Sequence, residues 1–334
     1  MLQLFKQIVK TGSYDIKNGE CLDTLRNIES GKFDLIITSP PYNVGKEYET
    51  KTSIEKYLET QEEIIDELVR TLSGKGNLCW QVGNYVDRGE IFPLDIYYYQ
   101  IFKKHGLKLR NRIIWHFGHG LHASNRFSGR YETLLWFSKT DDYIFNLDEV
   151  RIPSKYPGKL HFKGPNRGKP SGNPLGKNPS DIWEVMEQDW EKAMWNIPNV
   201  KNNHPEKTPH PCQFPIELVE RCVLALSNEG SWVLDPFAGV CSTVIGAIMH
   251  NRNALGIERE KEYCKIAEDR IHDLKEGKLK MRPMTQTIHV PSPNDKITKV
   301  PTEWVEQSAL FEKSNQRRLF PNNENNAKVL TSKR

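Results

Sequence analysis

No run of apolar residues in this 334-residue sequence approaches the ~18 that a bilayer-spanning helix needs, and mean hydropathy is −0.64. A soluble protein is expected, with no membrane partner. The opening MLQLFKQIVKTGSY is broken by lysines and has no apolar core with a small-residue cleavage site, so no secretory leader is expected. The six cysteines (Cys21, Cys79, Cys212, Cys222, Cys241, Cys264) form no CxxC pair and have no histidine partner at zinc spacing. That argues against a disulfide framework and a structural metal, and for reduced thiols in a cytoplasmic protein. An excess of either sign of charge is also lacking, with 47 Lys and Arg against 43 Asp and Glu. A net charge of +4 says little about partners until its distribution is considered.

What is present is alternation. Strand and helix signals alternate over the first 139 residues, favouring a mostly parallel sheet with helices on its faces. FDLIIT (33–38) reads as a buried strand, 54–73 as an amphipathic helix, 76–85 as a strand and 91–106 as a helix. Two more strands lie over 107–117 and 130–140, joined by a Gly-, His- and Arg-rich loop. From 210 to 284 the alternation resumes: a helix over 213–227, a strand ending at Asp235, a helix from Ser242, a strand ending at Glu258 and a last helix. Residues 285–334 are Asn-, Lys- and Pro-rich and are expected to form a loosely ordered extension. No internal repeat is present.

Residues 140–209 interrupt the pattern. RIPSKYPGKLHFKGPNRGKPSGNPLGKNPS (151–180) holds seven Lys or Arg, six Pro and five Gly, and no acidic residue. It cannot bury a core of its own. It is either a flexible surface linker or a nucleic-acid contact. Tyr156, His161 and Phe162 alternate with the cations, which favours the second reading, since cations neutralise phosphates and aromatic faces stack on bases. Lys155, Lys159, Lys163, Arg167 and Lys169 are the candidate contacts, joined by Arg126 and Arg130 of the earlier loop.

VLDPFAGVCSTVIGA (233–247) sets a small-residue turn between a strand and a helix, at the sheet edge where ligands bind in doubly wound folds. The turn lacks the GxGxxG that cradles a pyrophosphate, and it opens on Asp235, whose carboxylate would repel one. An ammonium suits it better. S-adenosylmethionine therefore fits better than a dinucleotide, with a purely structural turn as the plain alternative. Glu258, about twenty residues on, is placed to accept from ribose hydroxyls. Thr38, Asp235, Phe237, Ala238, Gly239, Ser242 and Glu258 are the candidate cofactor residues.

FDLIITSPPYNVG ends a core strand on Ser39, Pro40, Pro41 and Tyr42. Prolines supply no backbone donors, so the strand cannot continue. If this strand and the one ending at Asp235 are neighbours, the corner faces the cofactor. Methylating an exocyclic amine requires drawing the nitrogen toward a tetrahedral shape. Acceptors holding its N–H groups do this, here the Ser39 hydroxyl oxygen and the Pro40 carbonyl, with Tyr42 stacked on the base. A duplex base reaches such a pocket only when flipped out, at a cost of roughly a few kcal/mol.

TSPPYN together with DPFAGVCST resembles the DNA methyltransferases that modify exocyclic amino groups. Further matching stretches are NGECLDTL, RYETLLWFSK, LGKNPSDIWEV and HPCQFPIELVERCV, so the resemblance covers about residues 15–275. The catalytic corner precedes the cofactor loop with a basic insert between them, which resembles the permuted β group of type II restriction-modification methylases. The resemblance implies a Rossmann-like S-adenosylmethionine-dependent methyltransferase sheet of the α/β class with circularly permuted motif order. It also implies 140–209 as target-recognition region, double-stranded DNA as partner, and Glu20 near the cofactor's adenine. Two positions depart from the family pattern: Glu20, where Asp is commoner, and Cys241, whose side chain is expected to narrow a turn that commonly has glycine. Serine before the two prolines goes mostly with cytosine N4 in this family and aspartate with adenine N6, so cytosine N4 is preferred and adenine N6 is the alternative. A catalytically silent DNA-binding protein on the same fold is the rival class. A homodimer is one open oligomeric state.

Other residues carry less. Pro211-Cys212-Gln213 suggests a cytosine-C5 nucleophile, but its place before the cofactor loop favours a helix entrance. His116, His119 and His122 have no acidic or thiol neighbour and are read as cleft lining rather than metal ligands. Trp183, Trp190 and Trp195 are read as packing residues of the insert.

Overall fold

Apolar runs with period two become the strands of one central sheet. The structure, a computed structural model, describes residues 12–43, 51–117, 122–154, 156, 158–183, 199–201 and 204–284. In chain order the elements are β1 (Tyr14–Asn18), α1 (Cys21–Arg26), β2 (Phe33–Thr38), α2 (Ile54–Thr71), β3 (Leu72–Val82), β4 (Asn84–Asp87), β5 (Glu90–Pro93), α3 (Leu94–Lys104), β6 (Lys108–His116) and β7 (Tyr131–Ser138). After a 3-10 turn (Leu147–Val150) come β8 (Ile182–Trp183), α4 (Ile216–Leu226), β9 (Trp232–Asp235), α5 (Ser242–Met249), β10 (Asn253–Glu258) and α6 (Lys261–Lys275). No helix among the described residues is long and apolar enough to cross a membrane.

Eight strands hydrogen-bond in the order β1-β10-β9-β2-β3-β7-β6-β8, and β4 pairs with β5 as a separate hairpin. The first five strands of that order are mutually parallel. β7 is antiparallel to both neighbours, and β8 is parallel to β6. β2 turns Phe33 and Ile36 to one face and Leu35 and Ile37 to the other, a register shift between Phe33 and Leu35 breaking strict alternation. Helices α1–α3 bury the first face and α4–α6 the second. Burial on both faces explains why β2 reads as an unbroken apolar run. α2 starts where Ser53 Oγ accepts from the Lys56 amide at 3.3 Å.

β9 lies directly beside β2, with Leu35 opposite Val233 and Ile36 opposite Leu234. The C-terminal half of the chain thus continues the sheet of the N-terminal half, as the permuted order implies. Sheet order runs outward in both directions from this junction, and the crevice above such a switch point is where doubly wound folds bind ligands.

Three features differ from the sequence reading. The strand expected over 76–85 stops at Val82, and Asn84–Pro93 forms a hairpin around Arg88 and Gly89, both at positive φ (46° and 88°). β7 runs against the sheet because it returns directly from β6. The third concerns residues 140–209, whose first part, Ile144 to Ile152, packs on the sheet, while Trp183 packs there as read from the sequence. Val150, Ile152 and Trp183 are core residues, and Asn77 Nδ2 donates to the Ile144 and Leu226 carbonyls at 2.8 and 3.0 Å. Trp190, Trp195 and residues 285–334 lie outside the described residues.

Candidate active site

A cavity of about 830 Å³ opens over the C-terminal ends of β1, β10, β9 and β2, a volume in the range of small-molecule sites. One wall is the corner after β2, where Ser39, Pro40, Pro41 and Tyr42 all line the space. The corner is held from behind. Tyr57 of α2 donates its hydroxyl to the Pro41 carbonyl at 2.6 Å and lies 2.6 Å from the hydroxyl of Tyr98 on α3. Asn43 closes the corner at φ 58°, a left-handed conformation asparagine tolerates better than most residues. Its side chain pairs with both the N–H and the carbonyl of Thr52, each at 2.8 Å.

A chain of polar side chains runs from this corner into the sheet. Ser39 Oγ is 3.1 Å from Tyr42 Oη, and Tyr42 donates to Gln81 Oε1 at 3.0 Å. Gln81 Nε2 donates to Glu132 Oε2. Burial pushes the Glu132 carboxyl up to about 7, and burial followed by the Glu132 charge raises the Tyr42 phenol. Sequence reasoning missed Gln81 and Glu132 as site residues, although Glu132 sits in the quoted RYETLLWFSK stretch. Gly83 makes room for this wall: a Cβ there would stand 3.2 Å from Tyr42 Cε2 and 3.4 Å from Glu132 Oε1.

The opposite wall is the turn after β9, with Phe237, Ala238, Gly239 and Ser242 facing the cavity beside Glu258. Glu258 braces the turn, since Oε2 accepts from the Gly239 amide and Oε1 from the Glu260 amide, both at 2.7 Å. Burial raises its pKa. Each oxygen keeps a lone pair for a further donor. Gly239 combines φ 51° with close approach of His210, whose Nε2 would lie 3.1 Å from an added Cβ. Glu20 is exposed at the rim and lies 3.6 Å from Arg259 Nη1. Asn18, opposite Glu258 in the β1–β10 ladder, donates to the Glu258 and Arg259 carbonyls at 3.0 and 2.8 Å, a strut no motif had marked.

Thr38 and Asp235 do not line the cavity. Both side chains turn into the β2–β9 junction, where Thr38 Oγ1 donates to Asp235 Oδ1 at 2.6 Å and the Phe237 amide donates to the same oxygen at 3.1 Å. They tie the two walls together from below. Asp235 is fully buried, and the Thr243 side chain joins Thr38 and the Phe237 amide in favouring its charged form. Cys241 also departs from expectation. It is fully buried at φ 62°, and its sulfur packs toward Gly256 of β10, so it does not narrow the turn.

Burial raises Asp235 from 3.8 to about 6. The folded state therefore binds this proton more tightly than the unfolded state, and stability falls as pH rises from about 4 through 6. The difference in unfolding free energy between Asp235→Asn and the wild type should grow in the variant's favour by on the order of 3 kcal/mol from pH ~4 to pH ~8. Thermal or urea melts across that range check it, and a pH-independent difference would contradict it.

Cys212 is exposed and lines the cavity, while Gln213 accepts from Thr208 Oγ1 and donates to the Glu206 carbonyl just before α4. His116 has its Nδ1 buried without a partner among the described residues, His122 is 3.4 Å from Arg130 Nη2, and His119 is outside the described residues. No group of three metal-capable side chains occurs among the described residues.

The basic segment forms a hairpin arm. Leu160 bridges Pro170, His161 N donates to the Lys169 carbonyl at 2.9 Å, and Ser171 N to the Lys159 carbonyl at 2.8 Å. Lys159, Lys163, Arg167 and Lys169 are exposed and enter no ion pair among the described residues, while Lys155 lies outside them. Arg126 is exposed and Arg130 half-buried on the β6–β7 loop, with Phe127 fully exposed between them.

Comparison with known proteins places this geometry. A family model described as DNA methylase, of the N6/N4 group, matches residues 33–269. The type II methyltransferase M.BglII of Bacillus subtilis is 45% identical over 253 residues, covering 75% of this chain and 67% of its own. The DNA adenine methyltransferase YhdJ of Escherichia coli (strain K12) is 29% identical over 262 residues, covering 77% and 82%. Among solved structures, the PvuII DNA methyltransferase (cytosine-N4-specific) superposes with a TM-score of 0.58 over 81% of this chain and 94% of its own, at 18% identity, a likeness of fold. With a proline corner and a small-residue turn facing one cavity, and a family match over residues 33–269, this chain belongs to the N6/N4 DNA methylase family.

Proposed function

We propose that the protein transfers a methyl group from S-adenosylmethionine to the exocyclic N4 amine of a cytosine flipped out of double-stranded DNA, as the modification half of a restriction-modification pair. The observation that carries this is one cavity with the Ser39–Tyr42 corner on one side and the Phe237–Gly239 turn with Glu258 on the other. The cofactor's half fits the group. Glu258 keeps lone pairs for the ribose hydroxyls, Gly239 admits close approach, and Glu20 stands at the rim toward the adenine. The buried Asp235 carboxylate adds negative potential beneath the end that would hold the ammonium. When bound, S-adenosylmethionine supplies an electrophilic methyl on a sulfonium.

The chain's own residues supply placement. Ser39 Oγ and the Pro40 carbonyl accept the two amine N–H groups, drawing the nitrogen out of conjugation so that its lone pair faces the cofactor. The Pro41 carbonyl is already engaged by Tyr57, which fixes the corner before the substrate arrives. Preorganised acceptors need no reorganisation during reaction. Tyr42 bounds the base plane. Residues 140–209, with Arg126 and Arg130, supply cations for the DNA backbone and act as target-recognition region, with residues 1–139 and 210–284 as the two halves of the catalytic domain. Ser39 favours cytosine. Adenine N6 is the second reading, favoured by the relationship to an adenine methyltransferase.

Binding and transfer test the assignment of the two walls. Glu258→Ala should weaken S-adenosylmethionine binding ~10–100-fold, as loss of charge-assisted hydrogen bonds implies. Calorimetry reads the affinity, and transfer of labelled methyl to duplex DNA reads the activity. Unchanged affinity would remove Glu258 from the cofactor site, and no transfer by cofactor-bound wild type would favour the non-catalytic rival.

A further inference from the structure

We propose that Gln81 and Glu132 set the direction of the hydrogen bonds reaching Ser39, so that its hydroxyl oxygen offers only lone pairs to the amine being methylated. This rests on the amine-clamp reading above and assigns two positioning residues to it.

Donor and acceptor bookkeeping along the chain of side chains leads to this result. An ionised carboxylate only accepts, so the group that Gln81 turns toward Glu132 must be its NH₂, and its carbonyl then faces Tyr42. Tyr42 has one hydroxyl proton and gives it to Gln81 Oε1 at 3.0 Å. At the 3.1 Å contact between Tyr42 and Ser39 the tyrosine oxygen can then only accept, so Ser39 donates. The serine proton is thereby occupied, and both remaining lone pairs of Oγ are free for a substrate N–H.

The opposite polarity would be harmful. If Tyr42 donated to Ser39, the serine proton would be free to point at the amine nitrogen and engage the lone pair that must attack the methyl group. A protonated Glu132 permits that state: it can donate to the Gln81 carbonyl, which turns the amide NH₂ toward Tyr42 and reverses the bonds beyond. Burial holds the Glu132 carboxyl up to about 7, so the two states exchange near neutral pH. The titratable and charged groups facing this chain are Tyr42 and Lys201 around Glu132, with Cys212 and, from α3, Tyr98 beside Tyr42. Across the ladder β6 presents Trp115 opposite Glu132, and β3 presents Gln81.

The test uses the full-length protein, duplex DNA and S-adenosylmethionine at saturation, which keeps the cofactor bound while pH varies. Glu132→Gln is isosteric but no longer dictates the Gln81 amide. It should lower kcat about tenfold, the worth of one directed hydrogen bond, with cofactor affinity unchanged. The wild type should show an acid limb near pH 7 in kcat/KM for DNA, and Glu132→Gln should lose it. The exchanged pair Gln81→Glu with Glu132→Gln restores a fixed direction, because the carboxylate at 81 accepts from Tyr42 and from the new amide at 132. It should recover most of the lost rate. A Glu132→Gln protein with wild-type rate and pH profile overturns the proposal, as does an exchanged pair no faster than that single variant. Wild-type protein that binds S-adenosylmethionine but methylates neither cytosine nor adenine overturns the clamp reading itself, and this inference with it.

Discussion

Ser39→Ala should lower kcat ~10²–10³-fold while leaving the affinity for S-adenosylmethionine within about twofold, on the scale of removing one preorganised polar group at a reacting atom. The split between the two readouts follows from geometry. Ser39 belongs to the corner after β2, whereas the turn after β9 is braced by Glu258 and by Asp235, neither of which touches Ser39. The corner should keep its shape, because Tyr57 holds Pro41 and Asn43 holds Thr52 independently of the serine. Losing the oxygen therefore removes an acceptor for the amine without collapsing the pocket. Methyl-transfer kinetics with calorimetric binding separate the two. A variant with wild-type kcat would show that the clamp assignment is wrong.

The second large effect concerns the arm. Changing Lys159, Lys163, Arg167 and Lys169 together to glutamine should weaken duplex binding ~10²–10³-fold near 0.15 M salt. It should also flatten the dependence of log K on log salt by about 3.6, the contribution of four phosphate contacts on duplex DNA. The hairpin should survive, since its bonds run through the backbones of Lys159, His161, Lys169 and Ser171 rather than through these four side chains. None of the four has an ion-pair partner among the described residues, so their removal strands no carboxylate. An unchanged salt slope would make the arm a solvated surface and move DNA contact elsewhere, with Arg126 and Arg130 as the next cations to test.

The parts legible from sequence were those in which backbone chemistry alone dictates the outcome. Two prolines after an apolar run end a strand, and small residues between a strand and a helix make a close-approach turn. Both signals are local. That the two strands adjoin followed from the permuted order, and the β2–β9 pairing matches it. Side-chain direction at the strand ends was less legible. Thr38 and Asp235 sit where cofactor contacts were expected, yet the geometry of the junction turns them toward each other. At Cys241 the expected obstruction vanished because a left-handed backbone swings the sulfur into the space that Gly256 leaves empty. Gln81 and Glu132 were invisible as a unit, being fifty-one positions apart and brought together only by the antiparallel pairing of β3 with β7. The reversal of β7 itself has no signature in an apolar pattern, which reads the same in either direction.

Expressing the protein in a host free of cytosine and adenine methylation, then analysing the digested host DNA by nucleoside mass spectrometry, tests the central claim most directly. The serine clamp predicts N4-methylcytosine. N6-methyladenine would retain the corner, the cofactor and the fold while overturning the base assignment, and neither product from protein shown to bind S-adenosylmethionine would contradict DNA amine methylation altogether.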